Sequence, residues 1–148
     1  MKPEDPVVSL GPGIARTPAT DDKTSDKRLQ LTLEAGQIGS AVVLHCQGRI
    51  IFHSEAQAIS AIVAEVLPSA ARMVVDLSGI DLIDSGGLGE LVLIHMWAEA
   101  AGHKLKFASP RKSLRNLFEI TNLVSVLDVY GSVPEAMTAM VQEEIHSS

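Results

Sequence analysis

Between Arg72 and Gly102 the chain passes from a strand pattern to a helix pattern with almost nothing in between. Met73-Val74-Val75-Asp76-Leu77 is an apolar, β-branched run without polar alternation, the pattern of a strand buried on both faces. It leads through Ser78-Gly79-Ile80-Asp81-Leu82-Ile83 into Asp84-Ser85-Gly86-Gly87. A helical pattern follows to about Ala101, and Gly102 ends it as a C-cap would. A buried strand feeding directly into a helix restricts the chain to a sheet with helices packed on it. It also places Ser85 at a helix N-terminus, where backbone N–H groups and the helix dipole favour an anion such as phosphate. A phosphate on a docking surface abolishes docking. These residues point to a binding protein controlled by phosphorylation rather than to an enzyme.

The flanking segments complete an α/β domain. Leu29, Leu31 and Leu33 alternate with polar residues as in a half-buried strand. Gly36 and Gly39 mark a turn, and Ala41 to Cys46 forms the second arm of a hairpin. Ser54 suits an N-cap for a helix with Ala58, Ile59, Ile62, Val63, Val66 and Leu67 on one face, closed by Pro68. After the motif helix come a strand from Lys104 to Ala108, a short helix over residues 111 to 121, and an edge strand from Val124 to Val129. Ser132, Pro134 and Glu135 then start a last helix. The expected order is ββαβαβαβα: a mixed sheet of about five strands with four helices packed on it. Residues 1 to 27, with Pro3, Pro6, Pro12 and Pro18, show no persistent period and read as a flexible tail before a domain spanning residues 28 to 148.

Composition narrows the function. Aromatic residues make up 3% of the chain, so the core is aliphatic. Acidic and basic residues balance in the first 28 positions, so residues 29 to 148 carry the whole net charge of −6, which argues against direct nucleic-acid binding. The single cysteine, Cys46, has no intrachain partner and alternates with Val42 and Leu44, which makes it a core residue in a reducing, cytoplasmic setting. No apolar run reaches about 18 residues, so no membrane insertion is expected, and the N-terminus lacks the apolar stretch of a signal peptide.

Asp84-Ser85-Gly86-Gly87-Leu88-Gly89 resembles the Asp-Ser-(Ser/Thr/Gly)-Gly-Leu-Gly signature of STAS-domain anti-sigma-factor antagonists. Gly48-Arg49-Ile50, Lys104 to Pro110 and Leu114 to Leu123 resemble flanking parts of the same family, over roughly residues 29 to 145. The resemblance implies a STAS-like fold and no catalytic residue. It implies Ser85 as the phosphorylation position, and two partners: an anti-sigma factor with serine kinase activity, and a serine/threonine phosphatase. A partner surface is expected from Asp84, Ser85, Gly86, Leu88, Glu90 and Leu91, together with the loop residues Arg49, Ile51, Phe52 and His53. Spacing alone reads Ser85 as a helix cap, a role compatible with phosphorylation. Asp84 reads first as a cap or an Asx turn, with kinase recognition as a further role.

Two positions depart from the family pattern. Gly86 stands where many relatives have Ser or Thr. Gly48-Arg49-Ile50-Ile51-Phe52 stands where phosphorylated antagonists often have Gly-Glu-Leu-Asp, so the partner should differ in charge and shape. Ile51 and Phe52 read equally as docking anchors or as core. The alternatives to a phospho-switch are a constitutive STAS scaffold subunit of a signalling assembly and an accessory subunit of a membrane transporter ATPase.

Other chemistries find little support. Ile83-Asp84-Ser85-Gly86-Gly87 is not Gly-x-Ser-x-Gly, and the five histidines lie in no recognisable catalytic context. The glycine cluster lacks the Lys-Ser/Thr of a P-loop, so no cofactor is implied. Asp76, Asp81 and Asp84 lack a ligand spacing, so no metal is assigned. His45 and His95 read as surface or satisfied imidazoles. Lys104, Lys106, Arg111, Lys112 and Arg115 read as a solvated basic face. Trp97, on the motif helix, reads as partly packed in the core or as an interface anchor.

Overall fold

The computed structural model describes residues 15–18 and 29–147. The elements run β1 (Ala15–Pro18), β2 (Leu31–Ile38), β3 (Ala41–Ile50), α1 (Glu55–Ala70), β4 (Arg72–Ile83), α2 (Ser85–Ala100), β5 (Lys104–Ala108), α3 (Lys112–Ile120), α4 (Val124–Leu127), β6 (Val129–Tyr130) and α5 (Val133–Ser147). The strands lie side by side in sequence order. β1, β2 and β3 pair antiparallel, whereas β3 to β6 are parallel and joined through helices, so the sheet is mixed as expected.

Alternation along the strands splits the core between the two faces of the sheet. Val42, Leu44 and Cys46 of β3 and Met73, Val75 and Leu77 of β4 pack under α1, α2 and the α3–α4 segment. Val43, Val74 and Ala108 point the other way, against Ala136 and Met140 of α5. Cys46 lies inside the larger cluster, and burial, with the charge of Asp76, pushes its thiol pKa far up. α5 packs on Val43, Val74 and Ala108. Further along the same face stand the polar residues Glu34, His45, Gln47 and Asp76, with His45 Nδ1 2.6 Å from Asp76 Oδ2.

Four expectations change. α1 runs through Pro68 to Ala70 instead of closing at the proline. β1 falls inside the stretch read as a tail. Its Ala-Arg-Thr-Pro carries no apolar alternation, and it is held by pairing Arg16 with Glu34 and Thr17 with Leu33 along the edge of β2. The remainder of that stretch lies outside the described residues. The edge strand placed at Val124 to Val129 is instead the helical turn α4 followed by the two-residue β6, because Asp128 takes a left-handed conformation (φ 54°) that breaks the run. Lys106 is not part of a solvated basic face. It is 2% exposed beneath α5, 2.7 Å from Glu143 and 3.3 Å from Asp128. Burial opposes its charge, but these carboxylates outweigh it and hold its pKa above the ordinary value.

Candidate functional site

β3 and β4 are parallel neighbours up to the pair Ile50–Ile83, so the chain leaves both strands at the same edge of the sheet. The β3–α1 loop and the start of α2 therefore meet. Asp84 joins them. Its backbone is extended, its Oδ1 accepts from Gly87 N at 2.7 Å and caps α2, and the same oxygen accepts from Phe52 N at 3.1 Å. Asp84 N donates in turn to Ile50 O at 3.3 Å. Ser85 is the first helical residue, exposed, and no other described group hydrogen-bonds its hydroxyl. The cap is thus Asp84 and not Ser85, which leaves the serine hydroxyl free at the positive end of the helix.

The glycines are required by contact. A Cβ on Gly86 would lie 2.3 Å from Phe52 Cβ, and one on Gly87 would lie 2.3 Å from Ile50 O. The loop is held from below by Glu55, which is fully buried. Its carboxylate accepts from Gln30 N (2.7 Å), Arg49 Nε (2.8 Å) and Ser54 Oγ (2.8 Å). Above that anchor Phe52 is 43% exposed, with its ring 3.9 Å from that of His53, and His53 sits in the left-handed region at φ 65°.

The residues expected at a partner surface divide into two groups. Asp84, Ser85, Gly86, Ile51, Phe52 and His53 come together at this edge. Phe52 is on the surface, and Ile51 is half-buried. Arg49 is spent on Glu55, and Glu90 turns to α1, where it accepts from Ser60 Oγ at 2.6 Å. Leu88 and Leu91 are buried in the core, at 5% and 0% exposure, so their assignment to the surface is corrected. They belong to the Leu88–Leu91–Ile94–Ala98 stripe that faces the sheet.

On the opposite side of α2 the sequence reading singles out Trp97 but not Leu93 or Met96. Leu93 and Met96 are 60% and 56% exposed, and Trp97 is partly exposed beside His103, with ring centroids 5.8 Å apart. With Ser60 and Ala64 of α1, Leu93, Ile94 and Trp97 line a shallow cleft. The signal was present in the sequence: α2 carries more large apolar residues than one face can bury, and a helix has only one face to give the core. Glu55 was missed as well, although an acid in the first turn is a recognisable helix-start feature; Ser54, at the N-cap position, gives α1 no side-chain cap bond. Among the carboxylates weighed for a metal, Asp84 is engaged with the loop and Asp76 with His45 on the other face of the sheet.

A mixed sheet with two helices packed beside a capped, exposed serine defines a STAS-like α/β domain. The STAS domain model matches residues 32–136, and the chain belongs to that family. Among solved structures, an anti-sigma factor antagonist from Mycobacterium paratuberculosis is similar at 20% identity and a TM-score of 0.65, covering 74% of this chain and 92% of that one. A Thermotoga maritima protein, a candidate anti-sigma factor antagonist, is 22% identical with a TM-score of 0.61, covering 71% of this chain and 91% of its own. The anti-sigma factor antagonist SpoIIAA in its unphosphorylated form is 17% identical with a TM-score of 0.60, over 74% and 96% of the two chains.

Proposed function

We propose that this protein is a cytoplasmic anti-sigma-factor antagonist switched by phosphorylation of Ser85, and that it acts by binding rather than by catalysis. The observation that carries this reading is the free, exposed Ser85 hydroxyl at the capped N-terminus of α2, beside the protruding Phe52. Dephosphorylated protein binds an anti-sigma factor that is also a serine kinase, and the sigma factor is released. Phosphate transfer to Ser85 places about two negative charges at the interface and drives dissociation. A serine/threonine phosphatase restores the binder. The contact surface under this reading is Asp84, Ser85, Gly86, Ile51, Phe52 and His53, and it continues onto Leu93, Met96 and Trp97. Among the described residues no helix is long and apolar enough to cross a membrane.

Incubation with the candidate anti-sigma kinase and ATP tests the switch by intact mass. The expected result is one added phosphate on the wild type and none on Ser85→Ala. Ser85→Asp is expected to weaken partner binding by on the order of a hundredfold, the cost of about 3 kcal/mol for an unpaired charge buried at an interface. The exposed apolar strip on α2 favours one competing reading, a subunit packed permanently in a signalling or transporter assembly. Stable complex formation without phosphate transfer, and unaltered by Ser85→Asp, would establish that reading and sink the switch.

A further inference from the structure

His95 lies on α2 two turns beyond Leu88, and its surroundings suit neither a surface histidine nor a core residue. It is 6% exposed, yet Nδ1 has no hydrogen-bond partner, the one such buried side-chain atom among the described residues. Nε2 comes no closer than 3.8 Å to Glu99 Oε2, beyond hydrogen-bond length. The imidazole is therefore buried with neither ring nitrogen hydrogen-bonded, at a cost on the order of a kilocalorie or more. The groups nearest it are anionic. Glu99 follows His95 by one helical turn on the same face. Asp128 arrives from the α4–β6 junction, which Phe107 N fixes to β5 by donating to Asp128 O at 3.0 Å. One ligand atom from each of His95, Glu99 and Asp128 lies within 4.8 Å of the others.

We propose that His95, Glu99 and Asp128 form a binding site for a divalent transition metal of the zinc class. One imidazole nitrogen and two carboxylate oxygens are a donor set that Zn²⁺ accepts at about 2.1 Å, with a fourth position open to water. A tetrahedral ion needs its ligand atoms nearer together by about an ångström. The Glu99 side chain is 66% exposed and that of Asp128 37%, so both carboxylates can draw in while the packed imidazole stays fixed. Lys106 lies beside them, 3.3 Å from Asp128 Oδ2, and Lys104 lines the same hollow. Lys106 keeps Glu143 at 2.7 Å when Asp128 turns to the metal. Bound there, the ion ties the far half of the Ser85 helix to the β5–β6 edge of the sheet. The site does not depend on the phospho-switch and stands if that reading fails.

The test is calorimetric titration of ZnCl₂ into the untagged, EDTA-treated and dialysed full chain, paired with thermal melts. One equivalent bound at micromolar affinity or tighter is expected, with a melting temperature raised by several degrees and returned by EDTA. Glu99→Gln, an exposed change that leaves the core intact, is expected to weaken zinc at least tenfold. His95→Gln, checked for native circular dichroism, is expected to abolish the saturable equivalent. Absence of saturable binding to the wild type overturns the site. So does an unchanged affinity in both Glu99→Gln and Asp128→Asn, which would assign the zinc to other histidines.

Discussion

Glu55→Ala is expected to destabilise the domain by about 3 kcal/mol, roughly 10 °C in melting temperature, although Glu55 touches no proposed partner. The carboxylate is fully buried and satisfies the Gln30 amide, the Arg49 guanidinium and the Ser54 hydroxyl at once. Removing it leaves three donors converging on a hole, one of them charged. Glu55→Gln keeps one acceptor oxygen but loses the charge, so about half the loss is expected. The acid dependence has a definite sign. Burial alone would raise the Glu55 pKa, but the Gln30, Arg49 and Ser54 hydrogen bonds outweigh it and hold it below the ordinary 4.5. A depressed carboxylate pKa means stabilisation that is complete above the unfolded value and lost as pH falls through the folded one. The difference in unfolding free energy between wild type and Glu55→Gln should be constant near pH 7 and shrink below about pH 4. Urea melts across that range measure it, and a pH-independent difference would show that Glu55 contributes by packing rather than charge. Arg49 stands where related antagonists carry an acid, and its structural partner is Glu55. The charge reversal at that position is thus answered inside the fold as well as at the surface.

Sequence periodicity carried the central elements because their residues answer to one demand each. β4 is apolar from Met73 to Val75 because both of its faces are covered there, and α1 shows its stripe because its other side meets water. Where one residue answers to two demands, the pattern misled. Lys106 alternates correctly with Leu105 and Phe107 and reads as exposed. Its ammonium is buried because Glu143, far along the chain on α5, arrives to pair with it. Leu88 and Leu91 lie close to Ser85 in sequence, but the helical period turns them inward and leaves Leu93 and Met96 outside. The β1 strand has no pattern of its own, since a four-residue edge strand is specified by the backbone of its neighbour. At the candidate site the Asp84-Ser85 element was legible because capping chemistry is local. The engagement of Asp84 with Phe52, 32 residues away, was not.

That engagement makes the two departures from the family pattern a single feature, and Gly86→Ala exposes it. Position 86 is helical, where alanine ordinarily stabilises by about 1 kcal/mol relative to glycine. Here its Cβ would meet Phe52 Cβ at 2.3 Å and Cγ at 2.5 Å. Phe52 cannot evade by rotating its ring, because Cβ moves only with the backbone, and the Phe52 amide is bound to the Asp84 carboxylate. The expected outcome is a net destabilisation of about 2 kcal/mol with the Arg49–Ser54 loop displaced from α2. Phe52→Ala should rescue little, since it keeps the clashing Cβ. Phe52→Gly should restore most of the loss, with a coupling energy above about 1 kcal/mol in the double-mutant cycle measured by urea unfolding. Additivity of Gly86→Ala with Phe52→Gly would show that the loop does not press on the helix as described. Serine or threonine at position 86, as in many relatives, carries the same Cβ and so requires a loop set further back. This chain gives up that side chain and places a half-exposed phenyl ring close to Ser85, the proposed phosphoacceptor. Under that proposal, a kinase acting on Ser85 must accommodate that ring. Phe52→Gly is therefore expected to alter which kinase modifies Ser85, even where it leaves the fold intact.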